Sequence, residues 1–140
     1  MKRIEFKKLT IKNLFSIGND PVVINFTKGL NLITGINFDK EDGKNGCGKT
    51  SILHSMLFVL FDETSVDLKK EEIFNNINKT KGVGVLEFHL IDNAVKKEYK
   101  IQRSVLPSKC DIWENGIDIT PSSIVKTNDL ILKLINSSLV

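Results

Sequence analysis

The sequence predicts an α/β domain in which a strand–glycine loop–helix unit and its mixed sheet are joined to an antiparallel meander. Three observations carry this. Residues 43–50 read Gly-Lys-Asn-Gly-Cys-Gly-Lys-Thr, set between a short apolar strand pattern and a buried helix pattern. Apolar residues alternate over Val83 to Ile91 and Glu98 to Ser104 and, with one slip, over Arg3 to Asn13, the mark of half-buried strands. Asn115-Gly116, between two short apolar runs, is a strong two-residue hairpin turn.

The elements follow in order. Arg3 to Asn13 carries Ile4, Phe6, Leu9 and Ile11, and the alternation slips once near Lys7-Lys8, which predicts a strand with a bulge. Pro21 to Phe26 is a second strand after the turn Gly18-Asn19-Asp20, and Gly29 to Gly35 is a third, short and buried, ending at the glycine loop. Lys49 to Phe61 is a buried helix, apolar at Ile52, Leu53, Met56, Leu57, Leu60 and Phe61. Thr64 to Lys81 is polar and irregular, with a short helical piece near Lys69 to Asn76. Val83 to Ile91 and Glu98 to Ser104 alternate as strands joined around Asp92-Asn93-Ala94. Cys110 to Trp113 and Ile117 to Ile119 form the tight hairpin, and Pro121-Ser122-Ser123 opens an amphipathic helix from about Ile124 to Ile135. No repeat, low-complexity tract or linker divides the chain, so residues 1–140 read as one domain with length enough for a core.

The glycine loop fits the P-loop pattern G-x-x-x-x-G-K-[ST], and its residue types follow from phosphate chemistry. Gly43, Gly46 and Gly48 let the chain take positive φ and bring backbone N–H groups up to phosphate oxygens. The following helix points its positive dipole end at the same phosphates. Lys49 is placed to reach the β- and γ-phosphates, and the Thr50 hydroxyl to ligate Mg²⁺. The plain alternative is a flexible glycine loop before an ordinary helix, and the fit of both flanks argues against it.

Composition bounds the function. A hydrophobic content of 41% and a charged content of 26% are ordinary globular values. The net charge is +3, and Arg3 and Arg103 are the only arginines, so no arginine-rich or aromatic-interleaved stretch is present for nucleic acid. The lysine pairs at 7–8, 69–70 and 96–97 read as solvated faces. Cys47 and Cys110 make neither a metal site nor a disulfide framework, and a thiol inside the loop suits a reducing compartment. Met1 to Thr10 lacks the apolar core of a signal peptide, and the longest apolar run, Met56 to Phe61, is too short to span a bilayer. The expected location is a cytoplasm, or a host cytoplasm, with no membrane partner.

Phe58 to Glu63 imitates a Walker B motif, an apolar run followed by two acids. Such acids must close a strand beside the P-loop strand, whereas these residues continue the P-loop helix without a turn signal. They read instead as a helix C-terminus with solvated acids. Val85 to Ile91 ends at Asp92, but without a second acid and inside a hairpin. No catalytic acid is identified, so ATP turnover by this chain alone is expected to lie at or near background.

With these landmarks placed, the chain resembles the N-terminal part of the head of SbcC-type ATPases. These are SMC-like subunits of DNA double-strand-break nucleases, and they include recombination endonuclease subunits of large phages. Leu9 to Ser16 resembles the family's opening strand, and Gly29-Leu30-Asn31-Leu32-Ile33-Thr34-Gly35 its G-x-N-L-I-x-G strand. Asn45-Gly46-Cys47-Gly48-Lys49-Thr50-Ser51 resembles its N-G-x-G-K-[ST]-[ST] loop, and Leu57 to Phe61 its apolar helix end. Val85 to Leu90 with Lys97 to Ser104, and the Asn-Gly hairpin at Asn115, resemble its later strands. The resemblance implies a P-loop NTPase of the ABC/SMC head type that binds ATP and Mg²⁺. It implies Ser16, Gly43, Asn45, Gly46, Cys47, Gly48, Lys49, Thr50 and Ser51 as the nucleotide-contacting set, with Thr50 on the metal. It implies as partners double-stranded DNA ends, a nuclease subunit of SbcD type and a second ATPase head that completes each ATP site.

Three departures qualify it. Gly35 to Asp42 stands where most relatives pass straight from strand to loop, which favours the phage branch; its acids Asp39, Glu41 and Asp42 repel phosphate, bind a cation or are simply solvated. Phe15 stands where cellular relatives often carry a phosphate-holding arginine, while Ser16 keeps its place. Val140 falls about where relatives begin the Q-loop segment, so the coiled coil, zinc hook, signature motif and Walker B lie outside the chain. The expectation is an incomplete N-terminal lobe: a truncated product, half of a split protein or a fragment. It should self-associate or be marginally stable, with the helix of Leu130, Ile131, Leu134 and Ile135 its least packed element. A transporter-type cassette and a non-catalytic remnant are the rival readings.

Overall fold

The computed structural model describes residues 2–29, 31–32, 49–62, 81–105 and 107–139. Six strands form one sheet: β1 (Lys2–Lys12), β2 (Val22–Asn25), β3 (Gly82–Asp92), β4 (Val95–Val105), β5 (Lys109–Glu114) and β6 (Ile117–Asp118). Their order is β2-β1-β3-β4-β5-β6. Two helices, α1 (Lys49–Phe61) and α2 (Ile124–Leu139), pack together over one face of the sheet.

The slip in β1 is a bulge. Its register to β3 shifts between Phe6 and Lys8. Phe6 then faces Phe88, Leu9 faces Leu86 and Ile11 faces Gly84, so the extra residue keeps the apolar set of β1 on the helix side. Leu9, Ile11, Leu86, Ile101 and Ile112 are fully buried there, joined by Val59 of α1 and Ile131 of α2. Along β3 the alternation is complete, with Gly82, Gly84, Leu86, Phe88 and Leu90 buried and the residues between them half-buried.

The β3–β4 and β5–β6 hairpins each turn on two residues with positive φ, the geometry that matches strand twist. Asn115 and Gly116 have φ of 50° and 81°. The Asn115 side chain also accepts from the Glu98 N–H at 2.9 Å, tying the turn to β4. At the β3–β4 turn, Asn93 and Ala94 have φ of 49° and 69°. Alanine in this region carries a steric cost that glycine avoids. Ala94→Gly is therefore expected to stabilise the fold by roughly 0.5–1 kcal/mol in chemical denaturation, net of glycine's greater unfolded-state entropy. A loss of stability would contradict the turn geometry.

All strand pairings among the described residues are antiparallel, as the predicted meander requires. A short buried strand was expected at Gly29 to Gly35. Of that segment Asn31 and Leu32 belong to no strand and Leu32 is 85% exposed, while Leu30 and residues 33–35 lie outside the described residues. The piece expected near Lys69 to Asn76 also lies outside them. The last helix is not under-packed: Ile131 and Ile135 are buried, and Leu130 and Leu134 pack against the same core. It starts from Ser123, whose hydroxyl accepts from the Lys126 N–H at 3.2 Å as an N-cap.

Candidate functional site

The predicted site lies where the glycine loop meets α1. The helix begins at Lys49, the residue the motif requires, and its first-turn N–H groups have no partner within the helix. Thr50 is exposed at this end, so its hydroxyl is free to meet solvent or an ion, as a Mg²⁺ ligand must be. Gly43, Asn45, Gly46, Cys47 and Gly48 lie outside the described residues.

The β1–β2 connection brings Ser16 to the same place. Asn13 and Phe15 adopt positive φ, 52° and 55°, and the Asn13 N–H bonds the Gly18 carbonyl at 2.9 Å, closing a compact loop. The Asn13 side-chain amide holds Asn19 at 2.8 Å. This loop sets the Ser16 hydroxyl 2.5 Å from the Ser51 hydroxyl, and the Ser16 N–H also points at Ser51 Oγ at 3.4 Å. Phe15 lies edge-on against His54 with ring centroids 5.4 Å apart. It packs the loop onto the second turn of α1 and supplies no cation. Ser51 and Ser55 are buried on the inner side of the helix, and Ser55 Oγ donates to the Ser51 carbonyl at 2.7 Å. Of the sequence-predicted set, Ser16, Thr50 and Ser51 therefore converge on one helix end.

Asn31, within the family-like G-x-N-L-I-x-G run, has a structural task. Its side chain accepts from the Thr27 N–H at 2.9 Å and donates to the Thr27 and Gly29 carbonyls at 2.9 and 3.1 Å. This closes the turn around Gly29, whose φ is 94°.

The Walker B imitation is helical at Phe58 to Phe61, so it has no strand end to offer. Asp62, however, is not a solvated acid. Its carboxylate is 3.9 Å from Nη1 of Arg103, itself 2% exposed. The Arg103 Nε donates to the Val59 carbonyl at 3.0 Å, and Nη2 donates to Asn128 Oδ1 at 2.7 Å. Sequence reasoning missed this buried arginine, although Tyr99, Ile101 and Arg103 alternate onto the helix side in strand register.

The opposite face of the sheet holds an open groove of about 630 Å³. Asn25, Lys8, Glu87, Lys100 and Trp113 are successive cross-strand neighbours over five strands, a row spread from residue 8 to residue 113 in the sequence. Lys100 Nζ lies 5.3 Å from the Trp113 ring centroid. His89, beside them, has its pKa lowered by burial and by Lys96 and Lys7. Its Nδ1 is buried without a hydrogen-bond partner. Among the described residues no cluster of His, Cys, Asp or Glu is arranged to hold a metal ion, and no helix is long and apolar enough to cross a membrane.

Residues 8–137 match a family model described as an AAA domain. The chain is 31% identical over 124 residues to exonuclease subunit 2 of Escherichia phage RB69, and 30% identical over 127 residues to exonuclease subunit 2 of Enterobacteria phage T4. These alignments cover 88% and 90% of the chain but 20% of each relative, so the chain spans about a fifth of the curated relatives it matches. The Smc head domain of Pyrococcus furiosus, solved with an extended coiled coil and bound to the C-terminal domain of ScpA, superposes with a TM-score of 0.65 at 25% identity. That superposition covers 99% of this chain and 34% of that one. The helix end that begins at the motif lysine, the Ser16 loop latched onto it and this match over nearly the whole chain agree: the chain belongs to the AAA domain family, is related to phage exonuclease subunit 2 and shares the fold of the Smc head.

Proposed function

We propose that this chain is the ATP-binding N-terminal lobe of an SMC-like ATPase head that works with a nuclease of SbcD type in DNA double-strand-break processing and recombination. The observation that carries this reading is the Ser16–Ser51 contact, which brings a second chain segment to the end of α1 that the motif assigns to phosphate. Backbone N–H groups of residues 43–48 and the first turn of α1 would cradle the phosphates, with Lys49 neutralising their charge. Thr50 would hold Mg²⁺, which supplies charge neutralisation between phosphate oxygens when bound. A second head would complete the site, and head closure would control access of DNA to the nuclease. For DNA, the supporting feature is the groove where Lys8 and Lys100 offer two cations to a polyanion on either side of Glu87, with Lys100 over the Trp113 ring.

Thiol labelling tests the cradle. Cys110 is buried, and burial pushes its thiol up to about 11, so it is silent in the folded chain. Labelling then reads Cys47. Saturating Mg-ATP is expected to slow that reaction by about tenfold or more, because a closely approached thiolate loses access. An unchanged rate, with binding absent by calorimetric titration, would remove the nucleotide assignment.

A further inference from the structure

Arg103 links three elements from beneath the helix layer. It lies on β4 opposite Gly84 of β3, where a Cβ would come within 2.5 Å of Val59 Cγ2, so α1 rests directly on the sheet at this point. Its guanidinium donates to the Val59 carbonyl, in the last turn of α1, and to Asn128 of α2, and it faces the Asp62 carboxylate. Asp62 has φ 56°, so the chain leaves the helix there, and the arginine takes over a carbonyl at the helix end. A buried cation thus sits at the negative end of the α1 dipole, while the positive end is the turn of Lys49, Thr50 and Ser51. A 13-residue helix is stiff over its length, so fixing one end fixes the depth and tilt of the other.

We propose that Arg103 is a positioning residue for the nucleotide site: it anchors α1 from its C-terminal end and thereby sets where the first turn presents its N–H groups, Lys49 and Thr50. This rests on the nucleotide reading of that turn. Asp62 and Asn128 orient the guanidinium, which leaves its Nε for the Val59 carbonyl.

The test uses the full chain with Arg103→Met, Arg103→Lys and, as a control, Ile112→Val or Ile112→Ala, whichever matches the loss in melting temperature. Ile112 is buried in β5, and α1 packs on β1, β3 and β4. Mg-ATP affinity is measured where circular dichroism shows each variant folded. Hydrogen exchange is followed at the α1 amides of Ile52 to Ser55 and at β1 as reference. In Arg103→Met, Kd is expected to rise about tenfold and α1 exchange to quicken by a similar factor with β1 unchanged; Arg103→Lys should recover part of both, and the Ile112 control neither. Affinity within twofold of wild type, or an equal loss in the Ile112 control, would overturn the proposal. Should Arg103→Met fail to fold, Asp62→Asn and Asn128→Ala each remove one orienting partner and should give smaller shifts in the same direction; no shift overturns it. If wild type binds no Mg-ATP, the nucleotide reading fails by itself, and α1 exchange alone decides whether Arg103 anchors the helix.

Discussion

Lys49→Ala is expected to abolish measurable Mg-ATP binding while leaving α1 intact. Alanine is the best helix former, so the first turn survives the change and the loss isolates the cation. A phosphate cluster held in a partly desolvated cradle then loses its strongest charge-assisted partner. Removing one member of such a pair costs roughly 3 kcal/mol, about a hundredfold or more in affinity. Calorimetric titration reads this directly, and equal affinity in wild type and variant would rule out the P-loop assignment. The labelling experiment should agree, with Mg-ATP protection of Cys47 disappearing in the same variant.

Gly82→Ala should be the most damaging single methyl in the described core. A Cβ at this position would meet the Asn13 carbonyl oxygen at 2.5 Å, Leu14 Cδ2 at 2.7 Å and Val105 Cγ1 at 3.1 Å. The nearest atom is backbone and cannot rotate away. It belongs to the compact loop that carries Ser16 to Ser51, so relief of the clash must move that loop. A stability loss of roughly 3 kcal/mol is expected in denaturant titration, at the upper end for overpacking. Weaker Mg-ATP binding by the remaining folded protein should accompany it. A loss below about 0.5 kcal/mol, the usual range of surface substitutions, would show that the loop does not pack against β3 as described.

What the sequence could and could not disclose divides along physical lines. Features governed by neighbours in the chain were legible. The P-loop spacing placed the start of α1 at Lys49 because the phosphate cradle requires a helix to open there, and the apolar pattern placed its end at Phe61. The slip at Lys7-Lys8 located the bulge because strand alternation has a period of two and one added residue must break it. Asn115-Gly116 specified its turn because few residues tolerate positive φ twice in succession. The imitation Walker B was separable from a real one because no turn signal interrupted the helix.

Features that depend on what lies across the sheet were not legible. Asp62 was expected in solvent, yet it faces Arg103, 41 residues further along the chain, in a contact made by packing α1 onto β4. The terminal helix was expected to be under-packed, since the sequence shows its apolar stripe but not the sheet and helix that cover Ile131 and Ile135. The lysines at 7–8 read as an isolated solvated pair; strand register aligns Lys8 with Glu87, Lys100 and Trp113. Ser16 was assigned by resemblance, and only the folded β1–β2 loop explains how it reaches Ser51. The sequence by itself determined the bulge in β1, the bounds of α1 and the Asn115-Gly116 turn, because each is set by backbone sterics and short-range periodicity. Tertiary structure decided which charges are buried, which faces are covered and which distant side chains meet, because strand order and helix docking are collective outcomes of burying one apolar face.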